Sequence, residues 1–386
     1  MENSKSNPIA ITGLGVVGPF GTTLDQLWEA QQEADAEFMP CSRYDNGLPA
    51  AEAEKVNLRQ MLKTGQLSRV PLVSQYAVAA THLALEQSGL NVDRKTKSAD
   101  IGIVFGTSNG PGAATQQIYD DLIDVGATGV KPRVFQESVF NAPASLTSIY
   151  FGLSGPIQVV PGAGCSGTAV LYQAQMMLAQ PGIQAVIALC SEELCSAIQL
   201  GLHDLKWHAS FDKEGGVGAG AIMGEGAVAL VLENAETAKD RGAGILAELA
   251  GVGYCNDAAA LGRPDPNGQG LVAAIETCLE DASAIPRDID MVLTGSVGTW
   301  IDDTLEGAAM RTVFANDPPP QGSSKRSIGF AMGTAALFEV ALAIASVLRK
   351  TTPGCVPTKD DRVSTVLCNS IGLNGLFGAT LVRSAT

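Results

Sequence analysis

Short apolar runs typical of buried strands alternate with longer helical patterns along this chain of 386 residues. In its first part the apolar spacing at 77–90 and 168–179 predicts helices. Five runs in the same part predict strands: 9–14, 101–105, 158–161, 184–189 and 226–233. Strand–helix alternation of this kind predicts a layered α/β architecture.

The second part of the chain repeats the rhythm of the first. Helices are predicted at 268–283 and 333–349. Strands are predicted at four runs: 244–251, 289–295, 365–369 and 378–383. Each part closes on an apolar strand after a glycine-rich turn, so we expect two similar halves, 1–240 and 241–386, packed as one unit. Residues 109–131 resemble an irregular insertion with its own short helix.

Composition argues against several classes of function. The 25 Lys and Arg against 40 Asp and Glu give a net charge of −15, which disfavours nucleic acid and anionic membrane surfaces as partners. No stretch approaches 18 apolar residues and the start lacks a signal peptide's apolar core, so we expect a cytoplasmic protein. The 8 cysteines form no CxxC pair, so we expect reduced core thiols and no metal site.

Cys165 lies at a predicted strand-to-helix junction within 159–168 (VVPGAGCSGT). Small flanking residues leave the thiol uncrowded, and a helix N-terminus favours the thiolate and so lowers the pKa. Backbone N–H groups in such a turn can also hold an oxyanion. The pattern fits an acyl-carrying nucleophile, and it equally fits a buried cysteine in a glycine-rich turn.

Five segments, in order, resemble motifs of the β-ketoacyl-acyl-carrier-protein synthases, condensing enzymes of the thiolase superfamily. They are an opening strand, a nucleophile turn, an acidic and glycine-rich block, a lysine-bearing turn and a glycine-rich gating loop: 11–17 (ITGLGVV), 162–170 (GAGCSGTAV), 211–214 (FDKE) with 223–227 (MGEGA), 323–329 (SSKRSIG) and 369–375 (NSIGLNG). The resemblance covers nearly the whole length and puts Cys165 at the nucleophile position. It implies a thiolase-like α-β-α-β-α fold of two similar halves. It also implies no cofactor, since acyl groups arrive on the phosphopantetheine of a carrier protein.

Two histidines that active members of this family carry beside the cysteine are missing here. Gly295 stands where the first belongs, and Phe330 stands where the second belongs. The neighbouring family residues Glu306 and Lys325 still match. The resemblance therefore implies that the residues surrounding the two histidine positions are kept, while both imidazole side chains are missing.

Loss of both imidazoles has a chemical consequence. Decarboxylation of a malonyl thioester develops an enolate, and removing one oxyanion donor costs roughly a hundredfold to a thousandfold in rate. Phe330 is expected to fill the space meant for the malonyl group, and Cys165 loses its neighbouring base. His203 and His208 lie in a stretch typical of a surface connection, so we do not expect them to substitute. His82 is expected to be a packed or partly exposed helix residue.

Within the resemblance, the chain is similar to the chain-length factor of type II polyketide and polyene systems. That non-condensing subunit forms a heterodimer with an active ketosynthase and lines part of the acyl tunnel. An active β-ketoacyl synthase or acyltransferase that uses Cys165 is the alternative, and a scaffold without a tunnel is a third. The sequence leaves the product open, whether an aromatic polyketide or a polyene.

The resemblance places the segment 134–141 (VFQESVFN) near the partner's pocket. Large side chains there would shorten the acyl chain, although ordinary interface packing explains them equally well. The strand at 158–161 would pair with its mate across the dimer axis. The tunnel and interface candidates are apolar: Val134, Phe135, Phe140 and Leu373.

Three basic residues, Arg59, Lys63 and Arg69, precede the helix at 77–90. In the family this area can help to receive the acidic carrier protein. A net charge of −15 opposes long-range attraction of such a carrier, so a solvated helix end is the favoured interpretation. We expect the carrier protein to dock chiefly on the active partner.

Overall fold

The structure is a computed structural model that describes residues 8–32, 36–53, 57–62, 67–212, 217–259, 264–315, 317–357, 362–373 and 375–385. Four residues named above lie outside the described residues: Lys63, Lys213, Glu214 and Asn374. The strands are, in chain order, β1 (Ile9–Val17), β2 (Met39–Pro40), β3 (Pro49–Ala51), β4 (Ile101–Thr107), β5 (Ile157–Pro161), β6 (Ala185–Glu192), β7 (Met223–Gly224), β8 (Gly226–Asn234), β9 (Ala247–Asn256), β10 (Met291–Leu293), β11 (Gln321–Gly322), β12 (Thr365–Ile371) and β13 (Leu376–Arg383).

The helices alternate with these strands. They are α1 (Leu24–Ala30), α2 (Leu58–Leu62), α3 (Leu72–Ser88), α4 (Gly112–Asp124), α5 (Pro132–Glu137), α6 (Ala142–Phe151), α7 (Ser166–Leu178), α8 (Ser196–Asp204), α9 (Ala235–Asp240), α10 (Gln269–Asp281), α11 (Trp300–Phe314), α12 (Lys325–Ile328) and α13 (Ala335–Arg349). Short 3-10 turns cover Leu67–Arg69, Pro286–Asp288 and Met332–Thr334.

Ten strands form one sheet in the order β11-β10-β12-β13-β9-β1-β8-β6-β4-β5. In the first half, β4 runs parallel to β5 and β6, while β8 runs antiparallel to β6 and β1. In the second half, β10 runs parallel to β11 and β12, while β13 runs antiparallel to β12 and β9. The two halves therefore share one strand order and one pattern of directions, and they join where β1 pairs with β9. The expectation of two similar halves is confirmed, and the boundary at 240/241 stays a prediction.

Helices cover both faces of this sheet and fill the space between its halves. Helix α3 packs on β1, β6 and β8, and α10 packs on β9, β12 and β13. Between them, α7 and α13 contact each other and contact strands of both halves. This is the α-β-α-β-α layering expected from the sequence. A small sheet of β2, β3 and β7 lies apart from the layers.

The central helix α13 is unusually apolar. The stretch Met332–Arg349 is long and apolar enough to cross a membrane by length and composition, but 89% of it is buried inside the protein. It is therefore a core helix of the central layer. One acid, Glu339, is fully buried in its middle.

Several predicted elements differ from the observed ones. The strand expected at 244–251 is β9, which begins three residues later and extends to Asn256, because it pairs with β13 along its length. The short helix expected within the segment 109–131 is present as α4, which is 13 residues long. Helix α11 was not predicted, although Thr299 caps it and Asp302 and Asp303 lie in its first turn, which is a recognisable helix start.

The outer helices approach the sheet closely because β1 and β9 carry glycines at matching places. A Cβ added to Gly15 would overlap the carbonyl oxygen of Ala80 in α3. A Cβ added to Gly253 would overlap the carbonyl oxygen of Ala274 in α10. In each half, a glycine of the strand that joins the halves thus allows the outer helix to pack closely against that strand.

We expect Gly15→Ala and Gly253→Ala each to lower the free energy of unfolding by about 1–3 kcal/mol, because the methyl group forces the helix away from the sheet. Gly244→Ala is the matched control, since nothing lies within 4 Å of its Cβ position. The control should stay within about 0.5 kcal/mol of the parent chain. Denaturant unfolding followed by circular dichroism measures all three, and parent-like stability of the first two variants would contradict the packing described.

Candidate active site

Cys165 lies where β5 turns into α7, at the junction predicted from the sequence. It occupies the N-cap position of α7, and the two preceding residues, Ala163 and Gly164, have φ values of 29° and 100°. The backbone N–H of Cys165 donates to Gly162 O at 2.6 Å, and that of Gly164 donates to Ser108 Oγ at 3.0 Å. The turn is therefore tight, and these two N–H groups are engaged within the protein.

The thiol of Cys165 is buried, with 0% of the residue exposed. Its Sγ donates to Leu376 O at 3.2 Å. Burial raises the pKa of Cys165 to about 12, against the lowering by a hydrogen bond to Ser370 and with a further rise from the charge of Asp302. The expected lowering of this pKa by the helix N-terminus is wrong, because loss of hydration outweighs the helix dipole.

Phe330 closes the space beside the nucleophile turn. Its backbone is bonded to the β7 region, with Phe330 N donating to Ile222 O at 2.7 Å. The ring is 3% exposed and packs edge-on against Trp207, with ring centroids 5.4 Å apart. Its Cζ lies 3.5 Å from the position of a Cβ on Gly164. Phe330 thus brings an apolar ring to the turn that precedes Cys165.

Other apolar side chains complete this closure. Phe330 belongs to a buried cluster with Val297 and Met332, and Leu373 packs against it. The N–H of Leu373 donates to Ala163 O at 3.1 Å, so the loop at 371–373 is tied to the nucleophile turn. The sequence-predicted residues Phe330, Leu373 and Cys165 therefore lie in one small region.

Gly295 leaves little room for a side chain at its position. A Cβ there would meet the Ser370 backbone at 3.1 Å and Ile371 Cγ1 at 3.0 Å. The carboxylate of Glu306 accepts from Gly295 N at 2.9 Å, from the next amide at 2.8 Å and from Asn369 Nδ2 at 2.9 Å. Glu306 therefore fixes the turn that lacks its histidine to the strand that leads into the loop at 371–373.

Lys325 connects the two altered turns through a buried ion pair. Its Nζ donates to Thr294 O at 2.6 Å and to Glu339 Oε1 at 2.9 Å. Glu339 also accepts from Ser324 Oγ at 2.9 Å. Sequence reasoning missed Glu339, although a lone acid inside an apolar helix is itself a sign of a buried partner.

Glu192, at the end of β6, is a second buried acid that sequence reasoning missed. Its carboxylate accepts from Ser108 N, from Asn109 N at 3.3 Å and from Gly333 N at 3.3 Å. Because Ser108 also holds Gly164, Glu192 connects the nucleophile turn to the segment that follows Phe330. Burial raises the pKa of Glu192 to about 7 against these hydrogen bonds.

A cleft of about 1010 Å³ opens onto this region. Its walls include Ser296 from the first altered turn, Asp303 from the start of α11, Lys325 from the second altered turn, and Phe330. Cys165 is not among the residues that line the cleft. The cleft therefore reaches Phe330 and stops short of the thiol.

The three histidines lie elsewhere. His82 is a half-buried residue of α3 with Nε2 3.4 Å from Glu86, as its helical setting predicted. His203 lies in α8, and His208 is 4% exposed with Nδ1 2.6 Å from Ala209 O. Burial lowers the pKa of His208, so the expectation of a surface position is wrong for this residue. Among the described residues, none of the three is hydrogen-bonded to Cys165.

Three of the four tunnel candidates lie at or near the molecular surface, whereas Leu373 packs against the Phe330 cluster. Val134 and Phe135 belong to α5, and Phe135 is 62% exposed. Phe140 is 43% exposed, and its ring lies 3.3 Å from the position of a Cβ on Gly110. The strand β5 forms an edge of the large sheet, which leaves one side of its backbone unpaired within the described chain. The two phenylalanines and the open edge of β5 are therefore accessible at the surface of the described chain.

Stability should fall as the pH rises through neutrality. Burial raises the pKa of Glu192 and Glu193 to about 7 and that of Asp302 to about 6. Such groups titrate near pH 4 when unfolded, so between about pH 4.5 and 7 the folded chain holds protons that the unfolded chain has released. We expect a higher Tm at pH 5.5 than at pH 8.0, as measured by scanning calorimetry.

Glu192→Gln should reduce this difference in Tm, because the variant removes one of the groups that titrates in the window. Glu276→Gln, which changes an exposed acid of α10, should leave the difference unchanged. A Tm that rises from pH 5.5 to 8.0 would contradict the assignment.

Comparison with known proteins identifies relatives over the full length. A family model described as "Beta-ketoacyl synthase, N-terminal domain" matches residues 6–238, and "Beta-ketoacyl synthase, C-terminal domain" matches residues 246–359. The 3-oxoacyl-(acyl-carrier-protein) synthase 2 of Coxiella burnetii is 28% identical over 97% of this chain and 98% of the relative.

Solved structures share the fold. The ishigamide ketosynthase/chain length factor superposes with a TM-score of 0.89 at 21% identity, covering 99% of this chain and 100% of that one. A type II PKS acyl-carrier protein in complex with its ketosynthase bound to the hexaketide gives a TM-score of 0.85 at 20% identity, again over 99% and 100% of the chains. At these identities the likeness shows a common architecture.

Proposed function

The chain belongs to the β-ketoacyl synthase family, and from that membership we propose that it is a chain-length factor. In this role it is a non-condensing subunit that heterodimerises with an active β-ketoacyl synthase and shapes the acyl tunnel in type II polyketide or polyene biosynthesis. The observation that carries the proposal is Phe330, which stands between the cleft and a fully buried Cys165.

The chemistry of the site supports a silent subunit. Condensation requires a thiolate to accept the acyl group and donors to stabilise the enolate of the malonyl unit. Burial keeps Cys165 protonated, with a pKa of about 12. Phe330 offers no donor, and Gly295 offers no side chain and has little room for one. The alternative, in which Cys165 carries the acyl group, agrees with its place at the N-cap of α7, but it requires a thiolate that burial of the thiol disfavours.

The outer surface around β5 supports a partner subunit. An edge strand presents unpaired backbone groups, and a large exposed apolar patch on a soluble chain is a typical interaction surface. Helices α6 and α7 contact β5, and α4 contacts α5, and these elements expose apolar side chains: Tyr119, Ile123, Phe135, Phe140, Ile149, Ile157, Tyr172 and Met176. A solved neighbour described as a ketosynthase/chain length factor adds support for a pair of homologous chains.

In the proposed heterodimer the two chains have different roles. The active ketosynthase takes acyl groups from the phosphopantetheine of an acyl carrier protein and condenses them in the cytoplasm. The silent chain needs no cofactor of its own. Phe135 and Phe140, exposed on the partner-facing surface, limit the length of the acyl chain that the partner's tunnel can hold.

Co-purification with the partner ketosynthase tests the pairing. Ile157→Glu and Met176→Glu each place a charge in the proposed interface and should abolish co-purification of the two co-expressed chains. Leu348→Glu is the matched control, since Leu348 is 46% exposed near the end of α13 and is not one of the side chains proposed for the interface. Loss of the complex in the control alone would contradict the proposed surface.

Product analysis tests the tunnel. Phe140→Ala should shift the products of the reconstituted pair toward longer chains, because it frees space in the tunnel. Leu348→Ala should leave product length unchanged. Unchanged length with both Phe135→Ala and Phe140→Ala would support a scaffold without a tunnel.

A further inference from the structure

A second cavity lies apart from the cleft at Phe330. It measures about 530 Å³, and none of its walls is shared with the cleft. It lies where the start of α3, the start of α4 and helix α5 come together. Its floor is apolar: Val70, Pro71, Leu72, Ala113, Ala114, Val134 and Leu194. A concave, mostly apolar site of this size is typical of small-molecule binding.

Cations gather at this cavity although the chain carries a net charge of −15. Four of them line it: Arg43, Arg69, Lys131 and Arg133. Arg43 is neutralised within the protein, since it pairs with Glu52 at 2.9 Å and with Glu225 at 2.6 Å. Arg69 and Lys131 form no ion pair with any other described residue. The cavity therefore has positive charge left to offer to a ligand.

Arg133 is held at the cavity by the neighbouring backbone. Its Nη2 donates to Arg69 O at 2.8 Å. Glu137, one turn further along α5, also lines the cavity and lies close enough for Arg133 to lower its pKa, although burial raises that pKa more, so Arg69 and Lys131 remain as the cations without an acidic partner among the described residues. A guanidinium fixed in this way is prepared for an anion, because less side-chain freedom is lost on binding.

Glu193 closes the inner wall without cancelling this charge. Its carboxylate accepts from Val73 N at 3.2 Å and from Ala113 N at 3.1 Å, so it occupies the N-terminal ends of α3 and α4. Burial raises the pKa of Glu193 to about 7, and its negative charge is therefore only partial at neutral pH. The ligand's head group is then directed to the cations at the mouth.

We propose that this cavity binds a small amphiphile with an anionic head, either a carboxylate or a phosphate ester, and an aliphatic chain. The head lies between Arg69, Lys131 and Arg133, and the chain lies on the apolar floor. Charge complementarity selects the anion, and the floor selects the aliphatic chain. The proposal is independent of the role assigned to Phe330.

Isothermal titration calorimetry of the full chain with decanoate and with decyl phosphate tests the site. We expect saturable binding of at least one of them at low salt, with a Kd below about 1 mM. Binding of only one would identify the head group. Decyltrimethylammonium, which has a cationic head, should not bind, because the mouth repels it.

Variants locate the binding. Arg69→Glu/Arg133→Glu should weaken it by about tenfold or more, and Ala114→Phe should abolish it by filling the floor without changing the charge. Arg311→Glu, at a separate polar depression on α11, is the control and should bind like the parent chain. Far-ultraviolet circular dichroism and Tm confirm that each variant is folded.

Two results would overturn the proposal. One is the absence of binding by either anion at concentrations well above 1 mM, or binding that neither variant affects. The other is that the double variant weakens binding of an acidic carrier protein while neither amphiphile binds, which would make the basic residues a protein-docking surface.

Discussion

Replacing Phe330 by alanine should raise the alkylation rate of Cys165 by at least about a hundredfold. The ring separates a cleft of about 1010 Å³ from a thiol with 0% exposure, so its removal admits water and reagent to the sulfur. Hydration then returns the pKa of Cys165 from about 12 toward its ordinary value. Each unit of that return gives about ten times more thiolate, the reactive form.

Timed treatment with iodoacetamide, followed by peptide mass spectrometry, measures this rate. Cys255, which is half-buried, serves as the internal reference in the same sample. Phe314→Ala is the matched control, because Phe314 is a buried phenylalanine of another core cluster. The control should leave Cys165 protected, and alkylation of Cys165 in the parent chain as fast as that of Cys255 would contradict the closed site.

Truncation of a buried phenylalanine lowers the free energy of unfolding by about 3–5 kcal/mol. A second, less destabilising variant is therefore needed. Phe330→Leu keeps most of the apolar volume and should give an intermediate rate. If Phe330→Ala fails to fold, the alkylation rates of Cys165 in the parent chain, in Phe330→Leu and in Phe314→Ala still test the prediction. Equal rates for Phe330→Leu and the parent would then count against the closure.

Lys325→Met should lower the free energy of unfolding by about 3–5 kcal/mol. The substitution leaves Glu339 as an uncompensated charge in the middle of α13, where it is 0% exposed. It also releases the hydrogen bond to Thr294, which ties the turn at Gly295 to the turn before Phe330. The size of the effect follows from the burial of both partners, since an exposed pair contributes little.

The double variant Lys325→Met/Glu339→Leu should recover most of the lost stability, because it removes both charges from the core. Lys239→Met, at an exposed position of α9, is the control and should change stability by less than about 0.5 kcal/mol. Chemical denaturation of all four proteins gives the comparison. A double variant no more stable than Lys325→Met would show that the buried charge is not the cause.

The architecture could be predicted from the sequence to a large extent. Apolar runs and glycine-rich turns gave the main strands and the repetition of the halves, because buried strands are uniformly apolar and their local pattern suffices. The small sheet of β2, β3 and β7 was missed, since its strands are only two or three residues long and depend on long-range pairing. Helix α11 was missed despite a usable capping residue, Thr299.

The sequence predicted which residues lie together at the site, but it did not predict their pKa values. The structure places Cys165, Phe330, Glu306 and Lys325 in one region, as the motifs predicted, and their roles stay predictions. The pKa of Cys165 was predicted in the wrong direction, because a helix N-terminus is a local feature, whereas burial depends on residues far along the chain such as Leu376. Glu192 was overlooked for the same reason, since its backbone partners come from two segments far apart in the chain, 108–109 and Gly333.

Release of CO2 from a malonyl-loaded carrier protein tests the central claim most directly. It should be measured with the purified chain, with its partner ketosynthase, and with the complex of the two. We expect background release from the chain alone, full activity from the complex, and the same activity from a complex that carries Cys165→Ala. Decarboxylation by the chain alone at the rate of the complex, or loss of activity with Cys165→Ala, would contradict its assignment as a non-condensing subunit.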